Sequence, residues 1–164
     1  MFLLDTSTLV TSASDLKLAS ECEFAFLRML DYRLGRIEVV PVDDDPMVLK
    51  AGELGDVHEQ KQLAAYRAEF RDRVIELERP DSRDTEALRS AAAATKAALE
   101  SGAGVVFRAV FFDETDPARP LLGYVDFIVR RPDGRWRVQD TKQYMEDQLA
   151  LYHEQLVRLG AERA

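Results

Sequence analysis

Asp126, Asp140 and Lys142 are the residues whose types and spacing could do chemistry. Asp126 ends the stretch Gly-Tyr-Val-Asp (123–126), and Asp140 and Lys142 sit in Val-Gln-Asp-Thr-Lys (138–142). Alternate residues of a strand share a face, so Asp140 and Lys142 would face the same way. Two opposed carboxylates destabilise a sheet unless something offsets their repulsion. A divalent cation would do so, and hard carboxylate oxygens suit Mg²⁺ or Mn²⁺. Such a cation polarises a phosphoryl oxygen and lowers the pKa of a bound water. A neighbouring ammonium would stabilise charge developing on the phosphate, or help orient the water. The plainer alternative is a surface strand end at which Lys142 screens both acids.

The elements around these residues decide whether they meet. After Gly104 the apolar pattern takes a period of two, and 104–112, 121–130 and 135–141 read as three strands. The second and third are joined by Arg131-Pro132-Asp133-Gly134-Arg135. A two-residue Asp-Gly loop would make Pro132 a pairing residue, yet proline has no N–H to give. A three-residue loop instead puts Pro132 at the first corner of a type I turn and Gly134 in the left-handed position, which both residues favour. That loop makes Arg131 face Arg135. Counting back along both strands, Asp126 then faces Asp140 and Tyr124 faces Lys142.

The remaining elements read as helices with one further strand. Ser12 or Ser14 can cap a helix running to about Leu34 and stopped by Gly35. Leu16, Ala19, Phe26, Leu27 and Leu30 form its apolar face, with Cys22 inside that face as a small buried hydrophobe. Asp45 followed by Pro46 is an N-cap with a first-turn proline, and the acids Asp43–Asp45 read as a solvated helix start. The helix beyond carries His58 and Glu59. Gly52 and Gly55 within it imply close packing or a break before His58, since glycine costs a helix interior roughly 1 kcal/mol. Residues 73–79 read as a short strand. An Ala-rich helix then starts at Ser82 or Asp84, closes at Gly102 and is suited to lie close against a sheet. A last helix spans about Tyr144 to Leu159, with Gln148 and Tyr152 on one face by their i, i+4 spacing. Arg130, Arg131, Arg135 and Arg137 crowd the hairpin end, as solvated charge or as contacts to nucleic acid.

Composition bounds these readings. A chain of 164 residues, 46% of them apolar, fits one domain with one core. The single cysteine excludes an internal disulfide and a Cys-rich metal site built by this chain alone, and it fits a reducing cytoplasm. The opening residues lack the basic start of a signal peptide, and no apolar run approaches the ~18 residues of a membrane span. A net charge of −8 argues against strong non-specific binding to a phosphate backbone. It leaves room for a site that meets phosphate through a cation.

Four short motifs in order resemble the RecB-like branch of the PD-(D/E)XK nucleases: Leu-Gly-Asp-Val-His-Glu (54–59), Gly-Tyr-Val-Asp (123–126), Gln-Asp-Thr-Lys (139–142) and Gln-Leu-Ala-Leu-Tyr (148–152). The opening stretch 12–36 is similar to the N-terminus of bacterial RecB-like nucleases often fused to a helicase. The resemblance covers nearly the whole chain. It implies an α/β (α+β) domain with a restriction-endonuclease-like small mixed sheet flanked by helices. The single domain, 1–164, would comprise an N-terminal helical part at about 12–70 and a catalytic sheet and helix at about 73–160.

By the same resemblance, Asp126 and Asp140 would bind Mg²⁺ or Mn²⁺ with the carbonyl of Thr141, and His58 would be a further ligand or lie close to the metal. Lys142 would be the catalytic lysine, and Gln148 and Tyr152 would position it or the DNA. The implied activity is metal-dependent hydrolysis of phosphodiester bonds in DNA, in repair, recombination or defence, with a helicase as possible partner. The chain departs from the family it resembles in three ways. It lacks the four cysteines that hold an iron–sulfur cluster in some members. Its link from Lys142 to Gln148 is short, and its sequence ends where similar proteins continue into another strand. A catalytically weak or inactive module for docking DNA or protein is the alternative.

Overall fold

A computed structural model of the chain describes residues 1–4, 8–38, 46–81, 84–139 and 157–158, with backbone alone for 46–54. Asp140, Thr141, Lys142, Gln148 and Tyr152 lie outside the described residues, as do the acids 43–45 and nearly all of the expected last helix.

The described residues form a mixed sheet of six strands with four helices. The strands are β1 (Phe2–Leu3), β2 (Leu9–Ser12), β3 (Val74–Glu76), β4 (Val105–Asp113), β5 (Leu121–Arg130) and β6 (Trp136–Gln139). The helices are α1 (Ala13–Glu21), α2 (Glu23–Arg33), α3 (Pro46–Phe70) and α4 (Thr85–Glu100). The order β1-β2-β5-β4-β3 runs across the sheet, and β6 also pairs with β5. β3 and β4 are parallel, which requires a crossover, and α4 supplies it. Asp84 caps α4 by accepting from the N–H groups of Glu86 and Ala87. Gly102, at φ +86°, turns the chain out of the helix towards β4.

Alternation along β4 and β5 separates two apolar layers. Val106, Ile128 and Trp136 pack with Ala98 and Leu99 of α4. Val105, Phe107, Phe127 and Val129 pack with Leu63 and Tyr66 of α3 on the other side. Beyond the end of β3 the free edge of β4 is met by a side chain: the Thr95 hydroxyl accepts from the Val110 N–H at 2.9 Å and donates to the Ala91 carbonyl. No described helix is long and apolar enough to cross a membrane.

Three expectations need correcting. The first helix is two, because Cys22 adopts an extended backbone (φ −156°). Its sulfur caps α2 by accepting from the Ala25 N–H, so Cys22 is exposed rather than buried. Apolar periodicity does not register such a break, since helical bonds resume on both sides of one residue. The expected apolar face is also poorly covered: Leu16 and Leu27 are about half exposed, and α2 has no buried residue. Finally, α3 runs unbroken through Gly52 and Gly55, and a Cβ at Gly55 would meet nothing within 4 Å. Pairing of 2–3 with 9–12 was not foreseen, because those strands are too short to carry a period.

The glycine that does carry a close approach is Gly104. A Cβ there would lie 2.3 Å from the Phe70 ring. Gly104 also joins two elements, donating to the Arg73 carbonyl and accepting from the Arg130 N–H, each at 2.8 Å. Gly104→Ala is therefore expected to destabilise the protein by about 1–3 kcal/mol through overpacking. Urea denaturation checks this, and an unchanged midpoint would contradict it.

Candidate functional site

The loop before β6 is built as its residues dictate. Gly134 has φ +84°, its N–H donates to the Arg131 carbonyl at 3.0 Å, and the Arg131 N–H donates to the Arg135 carbonyl at 2.7 Å. The Asp133 carboxylate steadies the turn by accepting from the Arg135 N–H. The register is that of the three-residue loop: Arg130 faces Trp136, Val129 faces Arg137, Ile128 faces Val138 and Phe127 faces Gln139. Asp126 is thus the next β5 residue past the last described pair.

Asp126 occupies a distinctive place on β5. One edge of this strand pairs with β4 from Leu121 to Val129, except at Asp126. The other is shared: β2 pairs with Leu121 and Leu122, and β6 pairs with residues 127–130. Among the described residues, Gly123–Asp126 lie between the stretch paired with β2 and the stretch paired with β6. Asp126 is 9% exposed, and Arg79 places Nη2 3.7 Å from its carboxylate. The Arg79 guanidinium also lies over the Tyr124 ring at 5.4 Å. The Tyr124 hydroxyl is buried with no hydrogen-bond partner among the described residues. Burial pushes its phenol pKa up; Arg79 opposes that shift and Asp81 adds to it.

Directly across from Asp126 stands Arg108. The β4–β5 ladder pairs Phe107 with Phe127 and Ala109 with Val125 but omits the couple between them. Arg108 has φ +60°, a left-handed conformation costing a non-glycine residue roughly 1–3 kcal/mol. Its guanidinium donates twice to the Glu59 carboxylate, at 3.1 and 3.2 Å, and lies over the Phe107 ring. Glu59 is 9% exposed on α3. His58, one position along and so about 100° round the helix, is exposed. The α3 residue turned into the protein is therefore the acid beside the motif histidine.

A further contact ties β6 to α3. The Tyr66 hydroxyl donates to the Gln139 side-chain carbonyl at 2.6 Å, and Arg137 donates to the same oxygen at 3.2 Å. Gln139 immediately precedes Asp140, so α3 anchors the strand just before the candidate acid.

Of the residues that the motif resemblance assigns to the metal or to catalysis, Asp126 and His58 are described, and Asp140, Thr141, Lys142, Gln148 and Tyr152 lie beyond the described part of β6. Among the described residues, no three His, Cys, Asp or Glu side chains are grouped to hold a metal ion. A divalent cation is nonetheless compatible with Asp126: a buried hard-oxygen donor, two residues from an orphaned buried hydroxyl on the same strand. Arg79, Arg108 and Tyr66 were not foreseen. Arg108 left one signal, as the charged interruption of Val-Val-Phe-Arg-Ala-Val-Phe-Phe (105–112). Comparison with family models, curated proteins and solved structures finds no match for this chain.

Proposed function

We propose that the chain is a metal-dependent DNA nuclease domain hydrolysing phosphodiester bonds. The observation that supports this reading is the β5–β6 register, which ends at Phe127 and Gln139 and whose continuation by one pair would set Asp126 opposite Asp140. Asp126 and Asp140, with the Thr141 carbonyl and His58, are the groups that would hold Mg²⁺ or Mn²⁺. When bound, the ion supplies Lewis-acid activation of phosphate and water. Lys142 donates hydrogen bonds to the negative charge that develops on the phosphate. Gln148 and Tyr152 position Lys142 or the DNA. The motif resemblance adds a helicase as partner and a place in repair, recombination or defence.

The test is cleavage of linear single- and double-stranded DNA with and without Mn²⁺, beside Lys142→Ala. Cleavage that needs Mn²⁺ and falls at least about a hundredfold in the variant is the expected result, the scale on which a positioned electrostatic donor acts. Equal cutting by both proteins would remove the reading.

One observation favours a second reading. Arg79 approaches Asp126 and Arg108 holds Glu59, so both of these buried acids are met by cations of the chain itself. A catalytically silent module that docks DNA or protein needs no more than that. It predicts binding without cleavage at saturating Mn²⁺.

A further inference from the structure

An arginine-lined cleft of about 660 Å³ opens at the hairpin end of the sheet, between the end of α3 and the β5–β6 turn. Arg73, Arg130, Arg131 and Arg137 line it, with Glu69 as the one carboxylate among its lining residues. In a chain of net charge −8, four guanidiniums around one concavity are a local reversal of sign. Among the described residues their charge is largely uncompensated. Arg131 has only a long contact, 3.9 Å, to Asp133. No carboxylate among the described residues lies within ion-pair distance of Arg73, Arg130 or Arg137.

Two of these guanidiniums are held by aromatic rings. Arg73 lies over Phe70 at 5.6 Å, and Arg130 lies over Trp136 at 5.7 Å. Gly104 ties their backbones together, as described above. Arg137 is steadied by Gln139, which also accepts from Tyr66. Side chains fixed in this way lose little freedom when they take up a ligand. Planar guanidiniums suit phosphate oxygens bidentately, and their flat faces accept an unstacked base.

The geometry points to a binding site for the phosphates of a single-stranded nucleic acid, separate from Asp126. The size of the cleft is in the range of small-ligand sites, roughly 300–1,000 Å³. A concavity of that volume can enclose part of one strand but not both strands of a duplex together. Arg130 lies four residues beyond Asp126 on β5, roughly 13 Å at the strand rise. A strand held here would thus run towards Asp126. The inference rests on the nuclease reading only for that purpose, because binding is measured without cutting.

The experiment is fluorescence anisotropy of labelled oligothymidylate with EDTA present, across a salt series. Duplex DNA and thymidine monophosphate serve as unlabelled competitors. Parent protein should bind the single strand, with duplex and mononucleotide competing poorly. The variant R73Q/R130Q/R137Q should bind at least about tenfold more weakly, and its log–log salt slope should be shallower by about 2, at about 0.7 for each phosphate contact on a single strand. The variant R33Q/R36Q/R119Q carries the same charge change elsewhere and should bind as the parent does. If the first triple variant melts early, R137Q alone reads the same effect as a slope change of about 0.7. Equal affinity and slope in parent and cleft variants would overturn the proposal, as would tighter binding of duplex or of the mononucleotide. Failure here leaves Mn²⁺-dependent cleavage untouched as a separate measurement.

Discussion

Asp126→Asn is expected to lower Mn²⁺-dependent DNA cleavage by about a thousandfold or more. The substitution keeps the shape of a side chain that is 9% exposed but removes its charge. A ligand carboxylate is worth several kcal/mol to reactions of this kind, and each 1.36 kcal/mol is a factor of ten. A second readout does not depend on turnover. If the parent binds Mn²⁺ only when folded, a hundredfold excess over Kd adds about 2.7 kcal/mol of stability, which the variant should lose. Without metal, the variant gives up its ion pair with the half-exposed Arg79, a contact worth about 1 kcal/mol or less, so its stability should stay within about 1 kcal/mol of the parent's. Cutting at the parental rate, or an equal Mn²⁺-induced rise in Tm in both proteins, would exclude Asp126 as a ligand.

Phe127→Ala should be the most damaging core substitution near the site. Phe127 is fully buried, stacked on Phe107 at 5.0 Å and met edge-on by Tyr66 at 5.3 Å. Removing the ring leaves a cavity between α3 and the sheet and costs about 3–5 kcal/mol. For a domain of this length that lowers Tm by roughly 10 °C. The consequence extends to function, since Phe127 faces Gln139 in the last described pair before Asp126. Loosening that pair should weaken Mn²⁺ binding in whatever fraction remains folded. Calorimetry with and without Mn²⁺ reads both effects, and a melting temperature within about 2 °C of the parent would contradict the packing argument.

The β5–β6 hairpin was readable from local chemistry. Proline cannot donate to a ladder, and glycine takes a left-handed turn position without strain, so Pro132 and Gly134 admit one loop and one register. The first-turn Pro46 was readable for the same reason, and the two caps were narrowed to Ser12 or Ser14 and to Ser82 or Asp84, of which the structure selects Ser12 and Asp84. The break at Cys22 was not readable, because the apolar pattern continues across it. Nor was the exposure of Leu16 and Leu27, because periodicity identifies a face without saying whether anything covers it.

By itself, then, the sequence determined the strands around the site, the turn that aligns β5 with β6, and the candidacy of Asp126. Only the tertiary structure decided that Glu59 rather than His58 turns inward, that Arg108 adopts a left-handed backbone opposite Asp126, and that four arginines from two distant segments share one cleft. The physical reason is range. Turn and cap preferences act over a few bonds, whereas α3, β4 and the hairpin meet through contacts across dozens of residues, where no single position carries the signal.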